Sequence, residues 1–147
     1  MVCLLATCLV ISPVIHESAH ILALEFSGTP YITDLEIYPN TYGTIRMLSS
    51  AGMAETIIFV GIGIFTSILA GIFLLLVGRK KESPVSRISG VGLLLNPTLA
   101  MFSGSDLSTI LSFFGLESLS IILGLFLGGF CLLELNRVAT SLLSEAP

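Results

Sequence analysis

The segment His16-Glu17-Ser18-Ala19-His20 has the residue types and the spacing of a metal-binding site, and it contains both histidines of the chain. Residues four apart lie on the same face of an α-helix, so both imidazoles can bind one metal ion. Glu17 lies about 100° around the helix from His16, where its carboxylate can take a proton from an activated water without being a ligand. The pattern therefore predicts two metal ligands and one general base.

The composition indicates where this segment must lie. Of 147 residues, 54% are hydrophobic and 11% are charged, whereas soluble domains are about 25% charged. The mean hydropathy of +1.00 points the same way. We expect an all-α integral membrane protein whose residues 1–147 form a single domain. The net charge of −4 excludes nucleic acid as a partner, because such binding depends largely on neutralising phosphates.

Long stretches without charge locate the membrane segments, because a charge at the bilayer centre is costly and about 20 apolar residues are needed to cross. On this basis we predict a multi-pass membrane protein with a bundle of about four transmembrane helices. If the source is a prokaryote, the membrane would be the cell membrane. The predicted spans are residues 2–26, 52–77, 88–114 and 117–140.

Two polar connectors join these spans. Residues 31–38 and 42–48 flank a turn-forming segment and predict a small β-hairpin between the first and second helices. Residues 78–90 contain four of the six basic residues, so this loop is expected on the cytosolic side and the hairpin on the opposite side.

A zinc ion bound by two histidines needs a third protein ligand, and the candidates here are carboxylates. Depth in the membrane selects Asp106. It lies 18 residues after Ile88 on the third span, and the histidines lie 15 and 19 residues after Met1 on the first span. The two spans run in the same direction, so the three side chains reach a similar level. Glu55, at the start of the second helix, is the reserve candidate. The other acidic residues available are Glu25, Asp34, Glu36, Glu117 and Glu134.

Three further patterns predict packing or ion pairing. The cysteines lie in apolar stretches without a metal-binding spacing, which is typical of packing residues. Gly124 and Gly128 form a GxxxG that favours close packing within the bundle over dimerisation. Glu134 and Arg137 are three residues apart near the end of the last span, and we expect them to form an interfacial ion pair.

The segment from His16 to about Asp106 resembles the site-2 protease family, the membrane-embedded zinc metallopeptidases. The family has HExxH on a membrane helix, a β-structured loop after it, a small-residue start to the next helix, and an Asn/Pro segment leading to an aspartate. That aspartate is commonly followed by glycine, where this chain has Leu107. The corresponding residues here are His16–His20, Gly28 with Tyr42-Gly43-Thr44, Ser50-Ala51-Gly52, Asn96-Pro97 and Ser105-Asp106-Leu107.

The resemblance implies a minimal four-span zinc metalloendopeptidase that cuts membrane proteins in or near their transmembrane helices. One Zn²⁺ would be held by His16, His20 and Asp106, with Glu17 as the catalytic base and Asn96 in contact with the substrate. The expected partners are a membrane-protein substrate and the lipid bilayer; the oligomeric state is left open. The alternative is a catalytically inactive metal-binding scaffold of the same fold, which would not need to retain Glu17.

Overall fold

The computed structural model describes residues 2–36, 42–47, 52–102 and 106–144, and this part of the chain is mostly helical. One continuous helix, Val2–Ser27, comes first and is followed by a β-hairpin and four more helices. The elements are α1 (Val2–Ala6), a π-helical turn (Thr7–Ile11), α2 (Ser12–Ser27), β1 (Tyr31–Glu36), β2 (Tyr42–Met47), α3 (Met53–Lys80), α4 (Pro84–Ala100), α5 (Asp106–Ser112) and α6 (Ser118–Ser144).

Local sequence accounts for the ends of the helices that flank the hairpin. Gly28 ends α2 in the left-handed conformation, with φ of 66°, which glycine adopts without steric cost. Its backbone N–H donates to the carbonyl of Glu25. Gly52 precedes α3, and its N–H donates to Oε2 of Glu55 at 3.0 Å. Glu55 thereby satisfies a backbone donor at the start of α3.

Three helices are long and apolar enough to cross a membrane: Val2–Ser27, Met53–Lys80 and Ser118–Ser144. They correspond to the predicted spans 2–26, 52–77 and 117–140. Large apolar side chains project from them away from the protein; Phe73 is 64% exposed and Phe126 is 76% exposed. Helices that face lipid have such an outward apolar surface. Soluble monomers rarely expose contiguous apolar patches this extensive.

The predicted third span, 88–114, is not one continuous helix. The chain instead forms α4 and the short α5, separated by residues 101–105, of which 103–105 lie outside the described part. Pro97 lies inside α4 and lacks the N–H that would continue the hydrogen-bond ladder. With 17 residues, α4 is at the lower limit of a spanning helix, and many of its residues are buried by neighbouring helices.

The protein core lies where α4 contacts α3, α6 and the beginning of the first helix. A side chain on Gly90 would clash with α3, since its Cβ would lie 2.8 Å from the carbonyl oxygen of Gly71. The two glycines therefore let the backbones of α3 and α4 approach closely, as small residues do in membrane bundles. The buried residues of this core are Leu75, Val91, Leu94 and Cys131.

The packing predictions for the GxxxG and for two of the three cysteines are confirmed, while Cys3 is only partly buried. A Cβ on Gly124 would lie 3.1 Å from Met101, and one on Gly128 would lie 3.4 Å from Thr98, so both glycines face the end of α4 within the bundle. Cys8 and Cys131 are free and buried. The predicted pair of Glu134 and Arg137 also forms, with Nη1 of the arginine 2.7 Å from Oε1.

The predicted hairpin is present as two antiparallel strands, with Tyr31 opposite Met47 and Glu36 opposite Tyr42. The turn predicted between them lies outside the described residues. In the described part of the chain each strand pairs only with the other, and β2 also packs against α2. Among the described residues, the outer edge of β1 is therefore not paired with another strand.

Candidate metal centre

Two helices that are distant in sequence bring the predicted ligands together. His16 and His20 lie one turn apart on α2, and Asp106 is the first residue of α5. Nε2 of His16 lies 3.0 Å from Nε2 of His20 and 3.0 Å from Oδ2 of Asp106. Nε2 of His20 lies 3.4 Å from the same carboxylate oxygen. Two imidazole nitrogens and one carboxylate oxygen thus converge on one point.

This donor set fits a zinc ion. Each residue offers one ligand atom, and all three atoms lie within 4.8 Å of one another. Ligands about 2.0–2.1 Å from a tetrahedral zinc are separated by roughly 3.3 Å, so the observed separations match to within a few tenths of an ångström. Two histidines and one carboxylate also leave the fourth position free, which is the arrangement of catalytic zinc sites.

The three ligand side chains differ in exposure. The His20 side chain is nearly buried, at 6% exposure, whereas that of Asp106 is 36% exposed. The ring of His20 contacts Phe59 of α3, with ring centroids 4.7 Å apart. Its Nδ1 is buried and has no hydrogen-bond partner among the described residues. The apolar contact with Phe59 therefore helps to fix this imidazole, where many metal sites use a polar partner.

Glu17 lies beside the ligand cluster and is half-buried. It is within electrostatic range of His16, His20 and Asp106. The candidate ligand group consists of the two histidines and the aspartate and does not include Glu17, as the helical spacing predicted. The Glu17 carboxylate is therefore a neighbour of the ligand group and not a member of it.

Gly63 of α3 is a residue of the site that the sequence reasoning missed. A Cβ atom on it would lie 2.5 Å from Nε2 of His20 and 2.7 Å from Nε2 of His16. No side chain larger than hydrogen fits there unless the imidazoles move. The absence of a side chain at Gly63 therefore leaves the space in which the ligand nitrogens converge.

The sequence does contain a signal for Gly63. Small residues recur every four positions along α3, at Gly63, Ser67 and Gly71, and all three are buried. This spacing places them on one helix face and is typical of close helix contacts in membranes. It does not say which helix lies opposite; the structure places α2 against Gly63 and α4 against Gly71.

The reserve ligand Glu55 is not part of the cluster, because its carboxylate accepts the Gly52 N–H at the start of α3.

The other acidic candidates also lie outside the cluster. Glu25 accepts a hydrogen bond of 2.6 Å from the Tyr31 hydroxyl. That bond raises the pKa of Tyr31, since the phenolate could no longer donate it. Glu134 binds arginines elsewhere. The side chains of Asp34 and Glu36 lie outside the described part, and Glu117 is not in the described ligand group.

Asn96, expected from the family resemblance to contact substrate, is a half-buried residue of α4 immediately before Pro97. Within the described part of the chain its side chain has no hydrogen bond to His16, His20 or Asp106. The structure therefore brings together the three predicted metal ligands and Glu17, and within the described residues it gives Asn96 no hydrogen bond to the three ligands.

Comparison of the chain with models of known protein families, with curated proteins and with solved structures finds no match. The assignment of a function therefore depends on the residues and the geometry of the site itself.

Proposed function

We propose that the protein is a multi-pass membrane zinc metalloendopeptidase that hydrolyses peptide bonds in or near the transmembrane helices of other membrane proteins. One observation carries this proposal: the imidazoles of an HExxH segment and a carboxylate 90 residues away lie within 4.8 Å of one another. Three ionisable side chains gathered in apolar helices are costly unless they have a function, so chance convergence is a poor explanation.

The depth of the site supports a substrate within the membrane. His16 lies about 21 Å along its helix from Val2 and about 16 Å from Ser27, as judged from the rise per residue. The site is therefore near the middle of an apolar helix long enough to span. A soluble peptide would have to enter the membrane to reach it, whereas a transmembrane segment is already at that depth.

In the proposed mechanism His16, His20 and Asp106 hold the ion. Bound zinc would supply a Lewis acid that activates a water molecule and polarises the carbonyl of the scissile bond. Glu17 takes a proton from the attacking water and returns it to the leaving amine. The Phe59 ring packs against His20 and helps to hold that imidazole in position. The resemblance assigns Asn96 to the substrate carbonyl.

The open edge of β1 offers a place for the substrate. A helical segment hides its backbone in internal hydrogen bonds, so cleavage requires local unwinding. An unwound segment can add to a free strand edge and recover its backbone hydrogen bonds there. The hairpin directly follows the helix that carries both histidines, with only Gly28 to Pro30 between them.

Elemental analysis of the detergent-purified protein tests the metal site. We expect about one zinc per chain in the wild type and none in the double variant His16→Ala/His20→Ala. Iron in place of zinc would indicate a different chemistry for the same donor set. No bound metal in the wild type would overturn the proposal.

Glu17→Gln separates a protease from a metal-binding scaffold, which is the alternative function. The probe is a panel of single-span membrane proteins in the same detergent, with products identified by mass spectrometry. For a protease, the variant keeps its zinc and loses cleavage by at least about 100-fold, because the general base is absent. Zinc binding without cleavage of any panel member in the wild type would favour the scaffold.

A further inference from the structure

Three arginines from three helices converge on one buried glutamate near the end of α3 and the start of α4, away from the candidate metal centre. Glu134 of α6 is fully buried. Its Oε1 accepts hydrogen bonds from Arg79 of α3 and Arg137 of α6, and its Oε2 lies 3.5 Å from Nη2 of Arg87 of α4. Both carboxylate oxygens are therefore engaged, and the three guanidinium groups are held close together.

This cluster carries an excess of positive charge. Three cations share one carboxylate, and the exposed Lys80 and Lys81 follow directly after Arg79. Glu82 is the other acidic residue that the structure describes at this end. The chain as a whole has a net charge of −4, yet five of its six basic residues are gathered here. Repulsion among them favours binding of an additional anion.

A polar cavity of about 530 Å³ lies beside the cluster. Arg79, Arg87 and Ser141 line it, and α4 begins at its wall with Pro84. The partial positive charge of a helix N-terminus adds to that of the arginines. The remaining lining residues are Glu82 and Val138.

Arg87, which lines this cavity, also has one hydrogen-bond donor without a partner. Its Nε is buried and has no partner in the described part of the chain. The position of Arg87 is set by close packing, since a Cβ on Gly78 would lie 2.7 Å from its Cγ. The Ser86 hydroxyl also donates to the Leu74 carbonyl at 3.0 Å, which ties the start of α4 to α3. The Arg87 side chain is thus held in place before any ligand binds.

We propose that this cavity binds a phosphate group, and that the headgroup of an anionic membrane lipid supplies it. Arginine matches the geometry of phosphate oxygens with two parallel donors, and basic pockets between membrane helices are suited to such headgroups. The cavity lies level with the end of α3, where a spanning helix meets the headgroup layer. The inference requires the placement in a membrane but not the metal centre, so the failure of one does not affect the other.

Lipid binding is measured by native mass spectrometry of the full chain, titrated with dioleoyl phosphatidylglycerol or with phosphatidylcholine. We expect one saturable site that prefers phosphatidylglycerol. Arg87→Gln should weaken it roughly tenfold, the effect of losing one charge-assisted hydrogen bond. Lys81→Gln is the matched control: it removes the same charge at the same end but outside the cavity, and should change affinity less than about twofold.

Glu82→Gln provides the opposite test, because removing a carboxylate from the cavity wall should strengthen binding. A gain in affinity cannot arise from misfolding, so this variant keeps the test decisive if Arg87→Gln fails to fold. Inorganic phosphate added as a competitor distinguishes the sources: competition indicates that phosphate alone suffices, and no competition indicates that the lipid is required. Equal losses for Arg87→Gln and Lys81→Gln, or no saturable site, would overturn the proposal.

Discussion

Gly63 lies so close to His20 that a Cβ atom on the glycine would be 2.5 Å from Nε2 of the imidazole. The same atom would lie 2.7 Å from Nε2 of His16. The two ligand nitrogens therefore face a helix surface that has no side chain at this point. Because Gly63 makes no bond to a metal, its effect is on the positions of the ligands.

Replacing Gly63 with alanine should displace both imidazoles and weaken zinc binding about 10- to 100-fold, the range found when groups that orient ligands are altered. Gly61→Ala is the matched control on the same helix, since a Cβ there would meet Ile110 at an ordinary 3.5 Å. Competition with a chelator of known affinity measures both variants. Equal zinc affinity in the two variants would contradict the role of Gly63.

Asp106→Ala should remove the third ligand and reduce bound zinc well below one ion per chain. Glu55→Ala should keep the zinc, because this carboxylate caps α3 and is separate from the ligand cluster. We expect the Glu55 variant to lose about 1 kcal/mol of stability instead, as is usual for the loss of a helix cap. Elemental analysis together with thermal unfolding in detergent checks both variants; loss of zinc only in Glu55→Ala would reverse the assignment.

Leu35→Pro in β1 should reduce cleavage of the membrane-protein panel and leave the zinc content unchanged, because proline removes a backbone donor from the strand. Leu35→Ala is the control, since it shortens the side chain and keeps the N–H. Full cleavage activity in the proline variant would exclude the strand edge as the place where substrate binds.

Glu134→Ala should destabilise the protein by about 3 kcal/mol, because three arginines lose the buried carboxylate that holds them together. Arg137→Ala should have a smaller effect, since its side chain is 63% exposed and Arg79 remains bound to the same oxygen. Unfolding of the purified protein in a denaturing detergent, followed by circular dichroism, gives the difference. A smaller loss for Glu134→Ala than for Arg137→Ala would be inconsistent with the cluster.

Local patterns were sufficient to predict much of the molecule. Charge-free stretches located the three long apolar helices, and the polar alternation between the first two located the hairpin. Both depend on neighbouring residues, so a linear sequence contains them. The HExxH spacing likewise placed His16 and His20 on one helix face, which the period of the α-helix guarantees.

The third predicted span shows where such patterns fail. Its apolar residues fit a long helix, but in α4 neighbouring helices bury many of them, and Pro97 removes a backbone donor near the end of α4. A run of apolar residues in a sequence does not show whether lipid or other parts of the protein will cover it. The break before Asp106 matters for the site, because the short helix α5 begins with that residue.

The sequence by itself determined two imidazoles, an adjacent carboxylate and the helix that carries them, because these lie within five residues of one another. Only the tertiary structure decided that Asp106, the carboxylate favoured over Glu55, meets the two histidines, that Gly63 leaves room for them, and that Arg79 and Arg87 join Arg137 at Glu134. The contacts that were not predicted join different helices. The packing of helix backbones, set in part by glycines spread along the chain, fixes which side chains meet there.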